Sequence, residues 1–217
     1  VKLPRPSGGA SLFGLRSEGQ GQMHPLRDKG TAKILTPINI HRLDRGYLVG
    51  RGGGTPTLGN KQLLLVGCGA VGGHLAFELA RAGILNLTLV DNDSLEMENM
   101  FRHVLGFRYL GKSKPESLKE EIEAQLPYVR VRAVPKKIEV ALADGAIDLR
   151  AYDLVVFALG DPTVELSLNE RIHAMGGDGP MALFAWLEPL GIGGHALLVG
   201  NNRQGGCFEC LYTQPEG

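Results

Sequence analysis

The run Leu63-Leu64-Leu65-Val66-Gly67-Cys68-Gly69-Ala70-Val71-Gly72 constrains the fold of this chain more than any other. Four apolar residues in succession are too few for a buried helix and lack the alternation of a half-exposed strand, so they fit a central parallel strand covered on both faces. Glycines end it abruptly. Val71, Leu75, Leu79 and Ala82 then recur at helical spacing until Gly83, and Leu87 to Val90 is a second short apolar run. Strand, glycine turn, helix and strand in that order make a βαβ unit.

Later segments repeat the alternation. Between Pro115 and Leu126, Leu118, Ile122 and Leu126 share one helical face while Glu and Lys cover the other. Val129 to Val134 alternates as a strand, Leu154 to Ala158 is another buried strand, Thr163 to Met175 is a helix, and Met181 to Leu187 and His195 to Val199 read as later strands. The predicted class is α/β, a doubly wound, Rossmann-like, mostly parallel sheet with helices on both faces. Ile38 to Val49 reads as a short helix or strand carrying Arg42 and Arg45, or as a solvated linker. Residues 1–36, broken by Pro4, Pro6, Gly8, Gly9, Gly19 and Gly21, read as an arm or the tail of an upstream domain. Residues 37–217 are then one domain, cut short at its C-terminal end. The 23 basic and 23 acidic residues cancel, which leaves no electrostatic footprint for nucleic acid. No run of about 18 apolar residues and no basic-then-apolar leader is present, so neither a membrane span nor a signal peptide is supported and the cytosol is the default setting.

In Gly67-x-Gly69-x-x-Gly72 the first glycine permits a tight turn, the second lets a phosphate approach the backbone, and the third lets helix and strand pack closely. Free N–H groups of Ala70, Val71 and Gly72 at the helix N-terminus would face that anion, supported by the helix dipole. A packing turn with no ligand is the plainer reading of the same pattern. Asp91 ends the second strand where an acid can bond ribose hydroxyls, and Asp93 follows it. To this point NAD and ATP fit equally. A dinucleotide needs little positive charge, whereas a triphosphate undergoing adenylyl transfer needs its developing charge neutralised by Arg, Lys and a metal ion. Asn99, Arg102 and Lys114 supply such groups, or else form a solvated loop and helix start. Asp161 follows the buried strand at the same carboxyl rim as Gly67 and Asp91, and suits both a Mg²⁺ ligand and the N-cap of a helix opened by Pro162. Cys207 and Cys210 have the spacing of half a zinc site. As a redox pair they would need a helix N-terminus, and Gly205-Gly206 before them reads as strand or loop. Cys68 reads as a small buried filler. Glu188 and His195 bound a glycine-rich rim loop, either as substrate contacts or as a hairpin with a satisfied histidine.

Together these residues resemble the ThiF/MoeB and ubiquitin-activating enzyme superfamily over about residues 41–217. Arg42-Leu43-Asp44-Arg45 resembles the family's N-terminal helix, which makes Arg45 the counterpart of its arginine finger, donated across a dimer; Gly46 stands where the family commonly has Gln. Asn99-Met100-Phe101-Arg102-His103 matches the Asn-Leu-x-Arg-Gln motif, Lys114 the catalytic Lys, Asp161 the Mg-coordinating Asp, and Cys207-Phe208-Glu209-Cys210 the first half of a structural zinc site. Trp186 to His195 looks like the bacterial multidomain members fused to a ubiquitin-conjugating-like domain, including those of antiphage CBASS operons. The resemblance implies ATP-dependent adenylation of the C-terminal glycine of a ubiquitin-like protein by a cytoplasmic homodimer, with Mg²⁺ and structural Zn²⁺ as cofactors and later transfer to a thiol beyond Gly217. Two other readings stay open: a nicotinamide-dependent oxidoreductase, which the glycines and Asp91 alone predict, and a non-catalytic partner subunit of an activating enzyme that keeps the fold to present a surface.

Overall fold

The computed structural model describes residues 16–18, 21–23, 38–200 and 206–213, the first two stretches as backbone only. By its contacts the chain divides into two units, Val1–His41 and Arg42–Gly217. In the first, β1 (Arg16–Glu18) and β2 (Gly21–Met23) pair antiparallel with Ser17 opposite Gln22. This hairpin forms where the glycine and proline content gave no regular element. The rest of residues 1–36, and with it the arm or domain tail, lies outside the described residues.

The second unit opens with α1 (Arg45–Arg51), so the segment read as helix, strand or linker is a helix. Asp44 caps it by accepting the Tyr47 N–H at 3.0 Å, which satisfies one of the orphan donors of the first turn. A 3-10 turn at Pro56–Asn60 leads into β3 (Gln62–Val66), α2 (Ala70–Arg81) and β4 (Asn86–Val90). After a long loop come α3 (Lys114–Gln125), β5 (Arg130–Val134), α4 (Ile138–Ala143) and β6 (Leu154–Phe157). α5 (Pro162–Met175), β7 (Met181–Leu187) and β8 (Gly194–Val199) follow.

Among the described residues the main sheet runs β5-β4-β3-β6-β7-β8. Its pairs are parallel except β7 with β8, which are antiparallel with Trp186 opposite His195. Leu63, Leu65, Leu87 and Leu89 share one buried cluster with Phe77 and Ala80 of α2 and Leu118 and Ile122 of α3. Leu64, Val66, Val155 and Phe157 share the other with Ile138 of α4 and Leu168 and Ile172 of α5. Helices on both faces explain why the strands are unbroken apolar runs. From β3 the chain moves outward to β4 and β5 and then crosses back to β6. The connections after β3 and β6 therefore leave in opposite directions, and a crevice opens between them at the carboxyl ends of the strands.

Candidate functional site

The glycine turn lies in that crevice, and its three glycines answer to different constraints. Gly67 has φ +93°, and a Cβ there would sit 2.5 Å from the Ala158 carbonyl oxygen of the β6 end. A Cβ at Gly72 would come within 1.8 Å of the Gly67 carbonyl oxygen. Both positions exclude a side chain. At Gly69 an added Cβ meets nothing within 4 Å, so what this glycine leaves clear is the cleft itself. α2 begins immediately after it, and the first amides of a helix have no acceptor inside the helix. That turn offers donors to an anion.

The peptide between the glycines is held on both sides. Cys68 N–H donates to Asp91 Oδ2 at 2.6 Å, and Cys68 C=O accepts from His103 Nε2 at 2.7 Å. The ring's other nitrogen, Nδ1, accepts the Leu105 N–H at 3.1 Å. That bond leaves the proton of a neutral ring on Nε2. His103 is 8% exposed, and burial, its first cause, holds the imidazole below its usual pKa. Asp91 Oδ1 also accepts the Asp93 N–H at 2.8 Å. Each oxygen of the Asp91 carboxylate keeps a second lone pair for a ligand.

Residues 91–113 connect β4 to α3, and their two ends are tied together. Ser94 bridges Ser113, Leu95 N–H donates to Lys112 C=O at 2.8 Å, and Lys114 N–H donates to Asp93 C=O at 3.0 Å. This neck delivers Lys114 to the cleft, where its Nζ bonds Asp93 Oδ2 at 3.0 Å with the lysine side chain 8% exposed. A lysine at the first position of α3 opposes the helix dipole and is desolvated as well. Local preference is set aside here, which is the mark of a side chain kept for a site.

On the far side of the crevice Asp161 caps α5, its Oδ1 accepting the Thr163 and Val164 N–H groups at 3.0 and 3.2 Å. Oδ2 makes no hydrogen bond among the described residues and is open to a cation. Behind it Glu165 is 3% exposed, and its Oε1 accepts the Leu159 and Gly160 N–H groups at 3.1 and 3.3 Å. Burial pushes the Glu165 carboxyl above its usual pKa, and the nearby Asp161 adds to the rise.

The resulting cleft has a volume of about 410 Å³ and brings together Gly67, Gly69, Asp91, Asp93, Lys114 and Asp161. Lys136 and Lys137, which the sequence reading passed over, also line it. They follow the carboxyl end of β5, so the rule that flagged Asp161 applied to them too. His103 was read only as the last residue of the motif at residues 99–103, where the family has Gln, with no role given to it, and Glu165 was missed, since no spacing in the sequence marks it. Asn99 and Arg102 are not in the lining: the Asn99 Oδ1 accepts the Glu96 N–H at 3.1 Å, and the exposed Arg102 is held by its backbone N–H, which donates to Asn99 C=O at 3.0 Å, while its side chain makes no hydrogen bond or ion pair among the described residues. Arg45 is elsewhere again. A Cβ at Gly59, just before β3, would lie 3.2 Å from its guanidinium carbon, so Arg45 sits at the amino end of the strand whose carboxyl end carries the glycine turn.

Cys68 is fully buried, as expected of a filler. Cys207 and Cys210 are free thiols flanking the start of a single 3-10 turn, Phe208–Leu211. Their sulfurs are 3.9 Å apart, close to the roughly 3.8 Å two thiolates keep on one tetrahedral ion with bonds of about 2.3 Å. No group of three or more metal-ligating side chains is gathered among the described residues. Glu188 and His195 pair at 2.9 Å at the β7–β8 hairpin, with Trp186 stacked on the imidazole at 4.7 Å. The histidine is thus satisfied within the hairpin, and neither residue lines the cleft. No helix of the described residues is long and apolar enough to cross a membrane.

Against known proteins, the ThiF family profile matches residues 46–217. The ATP-dependent ubiquitin transferase-like protein Cap2 of Pseudomonas aeruginosa is 32% identical over 191 residues, covering 86% of this chain and 33% of that protein. The adenylyltransferase and sulfurtransferase MOCS3 of Danio rerio is 28% identical, covering 91% of this chain and 44% of its own length. Among solved structures, E. coli MccB with ATP superposes with a TM-score of 0.59 at 23% identity, over 76% of this chain and 46% of that one. At that identity the likeness is one of fold. The chain spans less than half the length of each of these relatives. With the family profile covering most of its length, the chain belongs to the ThiF family.

Proposed function

We propose that this chain is an adenylyltransferase that uses ATP to activate the C-terminal carboxylate of a ubiquitin-like or similar protein. The observation that carries the reading is a cation and an acid brought to the same anion-binding turn: Lys114 and Asp161 line one cleft with Gly67 and Gly69. The phosphates lie over the amides of Gly69, Ala70, Val71 and Gly72, and the ribose lies against Asp91. A carboxylate oxygen of the incoming chain end attacks the α-phosphorus, the bond to the bridging oxygen breaks, and pyrophosphate leaves. The attacking group is already an anion, so no general base is needed and catalysis rests on positioning and charge neutralisation. Lys114, steered by Asp93, faces the charge that grows on the leaving group. Asp161 offers its open Oδ2 to Mg²⁺, which when bound would neutralise phosphate charge. Asn99 and Arg102 reach the nucleotide only through movement of their loop, and no step here depends on them.

A thiol would next displace AMP from the acyl carbon to give a thioester. Cys207 and Cys210 would hold a structural Zn²⁺ with two further ligands. The similarity to the ATP-dependent ubiquitin transferase-like protein Cap2 of Pseudomonas aeruginosa supports a ubiquitin-type transfer; antiviral defence, a cytoplasmic setting and a homodimeric working form are part of the same proposal and rest on the motif resemblance alone. A nicotinamide enzyme is the weaker alternative, because a buried Lys114 beside Asp93 has no task at a dinucleotide. The test is ATP–pyrophosphate exchange that depends on a protein with a free C-terminal glycine. Lys114→Ala and Asp161→Ala should each lower it by about 10²-fold or more. Exchange that survives both substitutions would overturn the reading, as would tight NADH binding with no response to ATP.

A further inference from the structure

We infer that His103 is the positioning residue of the glycine turn: its Nε2–H holds the Cys68 carbonyl on the protein side and so turns the Gly69 amide toward an anion in the cleft. In a trans peptide the C=O and the following N–H point in opposite directions. The 2.7 Å bond from His103 to Cys68 C=O therefore sets the direction of the Gly69 N–H, at the residue where the cleft is open to approach. Asp91 fixes the preceding N–H of Cys68, so the two side chains together determine the plane of the turn. The ring is held in place from three sides. Leu105 N–H occupies Nδ1, Gly73 of α2 lies so close that a Cβ there would be 3.3 Å from the ring, and only 8% of the residue is exposed.

A ring used this way works only when neutral. A proton on Nδ1 would face the Leu105 N–H and break that bond. The titratable and charged groups around the imidazole are the Cys68 thiol, Asp91 after β4, His74 of α2 and Lys114 of α3. Burial favours the neutral ring first and Lys114 and His74 add to it, while the Cys68 bond and Asp91 oppose. As pH falls below the ordinary histidine value of 6.5, the unfolded chain takes up the proton before the folded one does. The stability this residue contributes is therefore complete above that value and is lost as pH drops toward the folded pKa. The hold on the glycine turn weakens in the same window.

This assignment rests on the nucleotide reading for its purpose, but its test has an arm free of nucleotide. In the full chain His103→Leu removes both hydrogen bonds, whereas His103→Gln carries an amide nitrogen about where Nε2 lies and keeps the donor without a titratable group. Amide hydrogen exchange of residues 67–72 without ligand, at pH 7.5, should speed up about tenfold in the Leu variant and stay parental in the Gln variant. ATP affinity should fall about tenfold in the Leu variant and stay parental in the Gln variant. Between pH 7.5 and 5.5 affinity should decline in the parent more than in His103→Gln. Parental exchange over 67–72 in a folded His103→Leu protein, or a Gln variant as impaired as the Leu variant, would overturn the assignment. Should the Leu variant not fold, an unchanged pH decline in His103→Gln would overturn it. A parent that binds no ATP would remove the nucleotide reading, and the exchange arm would still decide whether His103 positions the turn.

Discussion

Gly69 and Gly72 stand three residues apart and fail in different ways when a methyl group is added. At Gly72 the new Cβ overlaps the Gly67 carbonyl oxygen, so Gly72→Ala forces β3 and α2 apart and should leave little folded protein. At Gly69 the Cβ enters open space. The N-cap backbone there has φ −76°, outside the left-handed region that favours glycine. Gly69→Ala should therefore change unfolding free energy by less than about 1 kcal/mol while weakening ATP binding at least about tenfold, measured by denaturant titration and calorimetry on one preparation. An unchanged affinity would mean that phosphate does not approach this peptide. The glycine pattern and Asp91 were legible in the sequence because a strand end followed by glycines has few structural solutions. Glu165 was not legible, and His103 was legible as a motif position but not in what it does. Each acts on backbone groups of a turn, and hydrogen bonds to main-chain atoms leave no trace in residue spacing. Lys114 could be read as a candidate, but its burial against Asp93 depends on the neck at Ser94 and Ser113, which only the folded loop reveals.

At the level of elements, the connection from β6 to α5 is fastened from both sides, by Asp161 capping the helix from the cleft and Glu165 bonding Leu159 and Gly160 from within. Glu165→Ala takes the side-chain acceptor from the Leu159 and Gly160 N–H groups, which are only partly buried, and should cost about 1–2 kcal/mol. Glu165→Gln keeps an oxygen in place and separates the charge from the bonds. The Glu165 carboxyl is raised above its ordinary value of 4.5 by burial, so the folded chain keeps this proton after the unfolded chain has lost it. Stability then falls as pH rises from that value through the folded pKa and is level beyond. Glu165→Gln should remove that decline, and unfolding curves at pH 4.5 and 7 would detect it; an identical pH dependence in both proteins would exclude Glu165 as its source. The strands and longer helices matched their sequence patterns to within about two residues, the usual disagreement at element ends. α4 escaped because six residues with only Ile138 and Ala141 buried cannot display a period. With it went Lys136 and Lys137, which its position carries to the rim.

For the molecule as a whole, the position of Arg45 decides how many copies a working site needs. Its guanidinium packs at Gly59, before the first residue of β3, and the glycine turn leaves the last. Five residues of strand at about 3.3 Å each separate the two by roughly 16 Å, beyond the reach of one side chain. If Arg45 acts on the triphosphate as an arginine finger, it acts on the site of a second copy. Arg45→Ala and Asp161→Ala proteins should then each be inactive alone and complement each other when mixed. A heterodimer has one site in which the Asp161 of one subunit meets the Arg45 of the other, and a second site with neither. With random pairing of equal amounts half the dimers are mixed, so about a quarter of the parental sites are restored. Pyrophosphate exchange should recover to about that fraction after subunits are allowed to exchange, and remain at background when exchange is prevented. Full activity of Arg45→Ala by itself would remove the finger from the mechanism, and failure of the mixture to recover would show that the site is built within a single chain.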